Sequence, residues 1–233
     1  MIANDAPCNA MPKYDAGARR SVAALRRSLE DTNGMRNPAQ HRHTNMTAAS
    51  TASAGFIGGC LQRRASLAAG ANILNLTGTA GAKEIFRMVA AHDAAVIICY
   101  VAGKNVREVG DFDLSTDPVP RLRDFFARQI EIAQCHGVEK IFIDPGLGFY
   151  YRNLQDSAVR VRHQMNIFLN TFRLRELGFP ICHALPHAFE FFREEVRCAE
   201  PFFAVLAALG KTDLFRTHEV PRLKAVLETM KVF

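Results

Sequence analysis

From Ala54 onward the chain alternates between short apolar runs and longer stretches whose apolar positions recur every three or four residues. These are the periods of a buried strand and of an amphipathic helix. The runs Ile73 to Thr77, Ala95 to Val101, Ile141 to Ile143, Ile181 to Ala184 and Asp213 to Thr217 read as strands. Between them the helical period covers about Lys83 to His92, Leu154 to Leu177 and Ala188 to Leu209, with a terminal helix through Met230 and a small-residue helix from Ala54 to Gly70. Asp117-Pro118 predicts a cap and a first-turn proline for a helix whose face is Leu122, Phe125, Phe126, Ile130 and Ala133. Gly137, Gly178 and Gly210 stop three of these helices.

Five strands alternating with helices are the pattern of repeated βα units around a parallel sheet. A closed barrel needs eight strands, so the expectation is a TIM-type (β/α) barrel, incomplete, with five recognisable βα units. Residues 1 to about 53 carry no sustained period apart from a helical stretch near Arg19 to Leu29, and Asn33-Gly34 and Asn37-Pro38 punctuate them with turns. The chain therefore divides into a weakly ordered extension, 1–66, and a folded domain, 67–233.

Composition narrows the class. The 233 residues are 48% apolar and 9% aromatic, ordinary for a globular core. Net charge is +6, and from Thr32 to Ala82 there is no acid, while Arg36, Arg42, Arg63 and Arg64 fall inside that window. These arginines form neither a basic helix nor an aromatic-interleaved patch, so no nucleic-acid partner is expected. Phe189, Phe191, Phe192, Phe202 and Phe203 are read as packing residues rather than base-stacking ones. Six scattered cysteines without a CxxC pair argue against a zinc ribbon or a disulfide framework and point to a reducing cytoplasm. No run long enough to span a bilayer is present, so no membrane partner is expected.

The most informative stretch is Ile141-Phe142-Ile143-Asp144-Pro145-Gly146-Leu147-Gly148-Phe149, where an apolar strand meets an acid and a glycine turn. Residues just past a barrel strand's C-terminal end face the ligand, which makes Asp144 a candidate. Gly146 and Gly148 let the backbone take positive φ and approach a ligand closely. The competing reading is a βα turn with a helix-capping Asp.

Three motifs in order resemble the dihydropteroate synthase family. Ala69-Gly70-Ala71-Asn72-Ile73-Leu74-Asn75-Leu76-Thr77-Gly78 is similar to that family's "aGAdiINDvsG", Ile141 to Phe149 to its "IilDPGiGF", and Leu214-Phe215-Arg216-Thr217-His218-Glu219-Val220 to its "iVRvHdV". The resemblance implies a pterin-binding barrel of folate biosynthesis that condenses 6-hydroxymethyl-7,8-dihydropterin pyrophosphate with p-aminobenzoate, with the chain a divergent or N-terminally incomplete member. It implies that Asp144 accepts two parallel hydrogen bonds from the aminopyrimidinone edge of the pterin, and that Arg216 and His218 hold the pyrophosphate as catalytic groups. Strand alternation would put those two on one face. Asn75, Gly146, Gly148, Phe149 and His187 complete the implied substrate contacts. No protein metal site is expected; Mg²⁺ would ride on the substrate pyrophosphate. A homodimer through the last helices, or association with a full-length synthase, is the implied assembly.

The chain also departs from that family. The "NvTPDSF" and "SiDT" strands have no counterpart, and where the family writes "PvLvGlSRKsf" its Arg-Lys pair becomes His187-Ala188. A catalytically inactive pterin-binding or partner subunit is therefore an alternative. A further one is a metal-dependent barrel hydrolase using His183, His187, Cys182, His218 and Asp144. Gly210-Lys211-Thr212 is a helix end and loop, since position 205 is Val where a phosphate loop needs Gly.

Overall fold

A computed structural model of the chain describes residues 49–50, 59–102, 117–147 and 156–232. The expected helical stretch near Arg19 to Leu29 and the residues Gly148 and Phe149 lie outside the described residues. In chain order the elements are β1 (Ala49–Ser50), α1 (Gly59–Ala68), β2 (Ile73–Thr77), α2 (Ala82–Ala91), β3 (Ala95–Cys99), α3 (Pro118–Cys135) and β4 (Lys140–Asp144). There follow α4 (Ser157–Asn170) with a 3₁₀ turn (Thr171–Leu177), β5 (Cys182–Ala184), α5 (Phe189–Phe192), a second 3₁₀ turn (Arg193–Cys198), α6 (Ala199–Leu209), β6 (Leu214–Arg216) and α7 (Val220–Met230).

β1 to β4 pair in order, all parallel, and β5 pairs parallel with β6. The two groups join where Ile143 donates its N–H to the Pro180 carbonyl at 3.1 Å and bridges Ile181. The result is a curved run of six consecutive parallel strands. Among the described residues no pairing joins β6 to β1. β1 was not expected, because two residues carry no readable period, and α1 crosses the expected domain boundary at residue 66.

The alternation of each strand sorts its side chains between two cores. Leu74, Leu76, Val96, Ile98, Ile141, Ile143 and Ile181 pack outward against the helices, joined by Phe86, Phe126, Phe168 and Phe203, all four fully buried. Each such ring stabilises the fold by about 1.5–3 kcal/mol. Ile73, Ala95, Ile97, Phe142, Cys182 and Leu214 pack on the inner face. All five residues of β3 are buried, as expected for a strand covered on both sides.

Helix boundaries follow side-chain chemistry. Asp117 accepts the Val119 N–H at 3.1 Å ahead of Pro118, as its sequence predicts. Asp156 accepts the Val159 N–H at 2.9 Å and so starts α4 later than the apolar period alone suggests. The single helix expected over Ala188 to Leu209 is corrected to three pieces, because Arg193 takes φ +46°. The break separates the phenylalanines: Phe203 is buried, Phe192 packs partly against the core, and Phe189, Phe191 and Phe202 are exposed. Exposed as it is, Phe202 packs its ring against Phe192 and Phe203, with centroids 5.9 and 5.2 Å apart, and Phe189 meets the His187 ring at 5.1 Å.

Cys99 and Cys182 are buried free thiols and Cys198 is an exposed one. No helix among the described residues is long and apolar enough to cross a membrane.

Candidate functional site

The strands bring their last inward-facing residues into one ring. Thr77, Cys99 and Asp144 are register partners across β2, β3 and β4, and Ala184 pairs with Arg216 across β5 and β6. Parallel strands all present the same end, so every member of this ring sits at a C-terminal strand end. One layer below, Asn75 lies in register with Ile97 and Phe142. Its Oδ1 is buried without a hydrogen-bond partner.

Asp144 is fully buried. Its Oδ1 accepts the Gly146 N–H at 2.8 Å, closing an Asx turn for which Gly146 takes φ +75°. Its Oδ2 faces Arg216, whose Nη1 donates at 3.2 Å. Burial pushes the Asp144 carboxyl above its usual range, and the Arg216 charge and the Gly146 and Ala184 N–H groups pull back without overcoming it. The thiols of Cys99 and Cys182 are held neutral, raised first by burial and further by the negative Asp144. Part of Asp144's capacity therefore goes to its own turn. The helix-capping alternative is excluded, since α4 is capped by Asp156.

Arg216 and His218 do not share one point. β6 ends at Arg216, so alternation lapses beyond it, and His218 turns instead to Glu200 on α6. Glu200 is fully buried although it stands on an otherwise apolar helix. Its Oε2 accepts the Thr217 hydroxyl, the His218 N–H at 2.8 Å and the Glu219 N–H at 3.3 Å. Its Oε1 meets His218 Nδ1 at 2.7 Å and His187 Nε2 at 3.3 Å. Burial pushes the Glu200 carboxyl up, but the donors from Thr217 and His218 outweigh it and hold it below the usual range. Sequence reasoning missed Glu200. The available signal was that it is the only ionisable residue from Ala199 to Leu209.

The five-residue metal set expected around His183 is corrected, because strand alternation disperses it. Cys182 faces inward near Asp144, while His183 points outward into the core. There its Nε2 pairs with the Thr171 hydroxyl at 3.0 Å, and burial lowers its pKa to about 3. His187 and His218 go to Glu200 instead. Nor do the described residues form an oxygen cage for Mg²⁺: Asp144 is already paired with Arg216, and Glu200 is flanked by two imidazoles, which Mg²⁺ does not favour.

Residues 62–183 match the family model described as pterin binding enzyme. A dihydropteroate synthase of Synechocystis sp. is 29% identical over 126 residues, which are 51% of this chain and 39% of that protein. The chain thus spans about two fifths of that relative's length. The structure superposes on dihydropteroate synthase of Xanthomonas albilineans with 4-aminobenzoic acid at TM-score 0.58 and 26% identity, covering 73% of this chain and 60% of that one. For dihydropteroate synthase of Thermus thermophilus in complex with 6HMPPP, the TM-score is 0.58 at 17% identity, over 73% and 65% of the two chains. The fold is accordingly the TIM-type (β/α) barrel of those enzymes, of which the described residues hold six strands.

Proposed function

This chain belongs to the pterin binding enzyme family, and from that premise we propose that it binds a dihydropterin pyrophosphate at the ring of Asp144, Asn75 and Arg216. The observation that carries this reading is a buried carboxylate at the C-terminal end of β4 and, one layer below it on β2 with β3 between them, a buried, unpartnered amide oxygen. An aminopyrimidinone presents a ring N–H beside an amino group, two donors that match a carboxylate. At Asp144 they take the place of Arg216, whose guanidinium then serves the pyrophosphate anion. Asn75 supplies a further acceptor below. Gly146, at φ +75°, brings no side chain to the turn beside that carboxylate. His218, turned to Glu200 in the turn after β6, stands beside that ring rather than in it. The Synechocystis, Xanthomonas and Thermus relatives support p-aminobenzoate condensation, with loss of pyrophosphate, as the reaction of an active form.

Binding without turnover is the reading favoured by His187. It stands where the family carries its Arg-Lys pair, and it is turned toward Glu200 rather than toward Asp144. A homodimer, or association with a full-length synthase, is the assembly we infer. Exposed Phe202, Leu209 and Val220 on the last helices support it.

Calorimetry with 6-hydroxymethyl-7,8-dihydropterin pyrophosphate tests the reading. Binding weakened about 10- to 100-fold by Asp144→Asn is expected, the loss of a charged hydrogen-bond acceptor. No heat of binding, or affinity unchanged by that substitution, refutes it. Product formed on adding p-aminobenzoate, abolished by Arg216→Ala, separates the active form from the binding-only one.

A further inference from the structure

Glu200 is held as a carboxylate that ligates through one oxygen would be held. Three donors, the Thr217 hydroxyl and the N–H groups of His218 and Glu219, saturate Oε2 and fix the plane of the group. Oε1 is left facing two imidazole nitrogens and nothing else that the hydrogen bonds record. The His187 and His218 rings lie stacked, 5.6 Å between centroids at 28°. One donor atom from each of His187, Glu200 and His218 falls within 4.8 Å of the other two. His187 Nδ1 has no hydrogen-bond partner, so nothing there fixes its tautomer and Nε2 is free to present a lone pair.

We propose that His187, Glu200 and His218 form a binding site for a first-row divalent transition ion, Zn²⁺ foremost, with its remaining position open to solvent. Two imidazoles and one carboxylate are the borderline donor set that such ions take in preference to Mg²⁺ or Ca²⁺. Bonds of about 2.0–2.2 Å in a tetrahedron put neighbouring donor atoms about 3.3–3.6 Å apart. His187 Nε2 already stands 3.3 Å from Oε1. His218 Nδ1, at 2.7 Å, must open by about 0.6–0.9 Å, and its side chain is 83% exposed and free to do so. The donors on Oε2 supply the outer-shell hydrogen bonds that orient a ligating carboxylate. With both imidazoles neutral the set carries one negative charge, so a divalent ion leaves a net positive site with room for a water or an anionic oxygen. The site lies just past the strand that carries Arg216, and it stands whether or not a pterin binds.

The test uses the full chain, freed of metal with a chelator and titrated with Zn²⁺ alone by calorimetry, and with Co²⁺ by visible absorption. One equivalent of Zn²⁺ is expected, with the Co²⁺ bands of a tetrahedral nitrogen and oxygen site. His218→Ala and His187→Ala should each weaken binding by more than the about 10- to 100-fold that loss of an outer-shell partner costs. Cys198→Ser, removing an exposed thiol, should leave it unchanged. His218 is exposed, so its substitution keeps the fold even if Glu200→Gln does not; far-UV circular dichroism checks this. Less than one equivalent bound, or binding indifferent to both histidine substitutions, overturns the site. Pterin is absent from these titrations, so failure of pterin binding leaves their outcome untouched.

Discussion

Replacing Arg216 with Ala removes the guanidinium from Oδ2 of Asp144 and leaves a fully buried carboxylate behind. Breaking a buried ion pair on one side costs about 3–5 kcal/mol. The Gly146 and Ala184 N–H groups still reach Asp144 and offset part of that, so the expected loss at neutral pH is about 2–4 kcal/mol. At this chain length that lowers the melting temperature by about 2–4 °C per kcal/mol. Asp144→Asn leaves the opposite remnant, an Arg216 whose side chain is 25% exposed and can reach water, while the amide oxygen still accepts from Gly146. Its cost should be smaller, about 1–2 kcal/mol. The pH sign follows from the raised native pKa of Asp144. The folded state holds the proton more tightly than the unfolded one, so stability is greatest below the unfolded carboxylate pKa and falls as pH rises through the folded value. Losing Arg216 raises that value further, so the penalty of Arg216→Ala should shrink as the pH is lowered toward about 5. Urea unfolding of both variants at about pH 5 and about pH 7.5 measures this. Asp144→Asn costing more than Arg216→Ala, or an Arg216→Ala penalty unchanged between the two pH values, would refute the account of a buried acid held by its arginine.

Other expectations concern the scaffold. His183 is buried and neutral with a pKa of about 3, below the value of about 6.5 it has when unfolded. Its contribution is therefore complete above about pH 6.5 and lost as pH falls toward about 3, by about 1.4 kcal/mol per pH unit at most. His183→Gln keeps a partner for Thr171 without titrating, and chemical denaturation between about pH 7 and about pH 4 should show a flatter acid slope; an unchanged slope contradicts the assignment. A Cβ on Gly210 would stand 1.8 Å from the Phe168 carbonyl oxygen, where α6 ends against α4. Gly210→Ala should thus cost at least about 1–3 kcal/mol by forcing the backbones apart, and a melting temperature equal to that of the parent protein would show that the helices do not meet so closely.

Much of the barrel was legible because its determinants are local. The period of the apolar positions announced β2 to β6, Asp117 announced its cap, and Gly137, Gly178 and Gly210 the helix ends. The turn Asp144-Pro145-Gly146 was equally readable, since its hydrogen bond spans two residues. β1 was invisible because two residues cannot establish a period. The break at Arg193 was invisible because the apolar period runs on while the backbone does not.

The sequence by itself determined which residues lie on the inner face of each strand and which strand ends carry an acid, a base or an amide. Tertiary structure alone decided who meets whom. Arg216 reaches Asp144 across 72 residues of chain. Glu200 gathers His187 from the loop after β5 and His218 from the turn after β6. Periodicity is a property of neighbouring backbone units and survives in the string of letters. A buried carboxylate selects its partners by desolvation and hydrogen-bond geometry, which exist only once distant strand ends have been brought together.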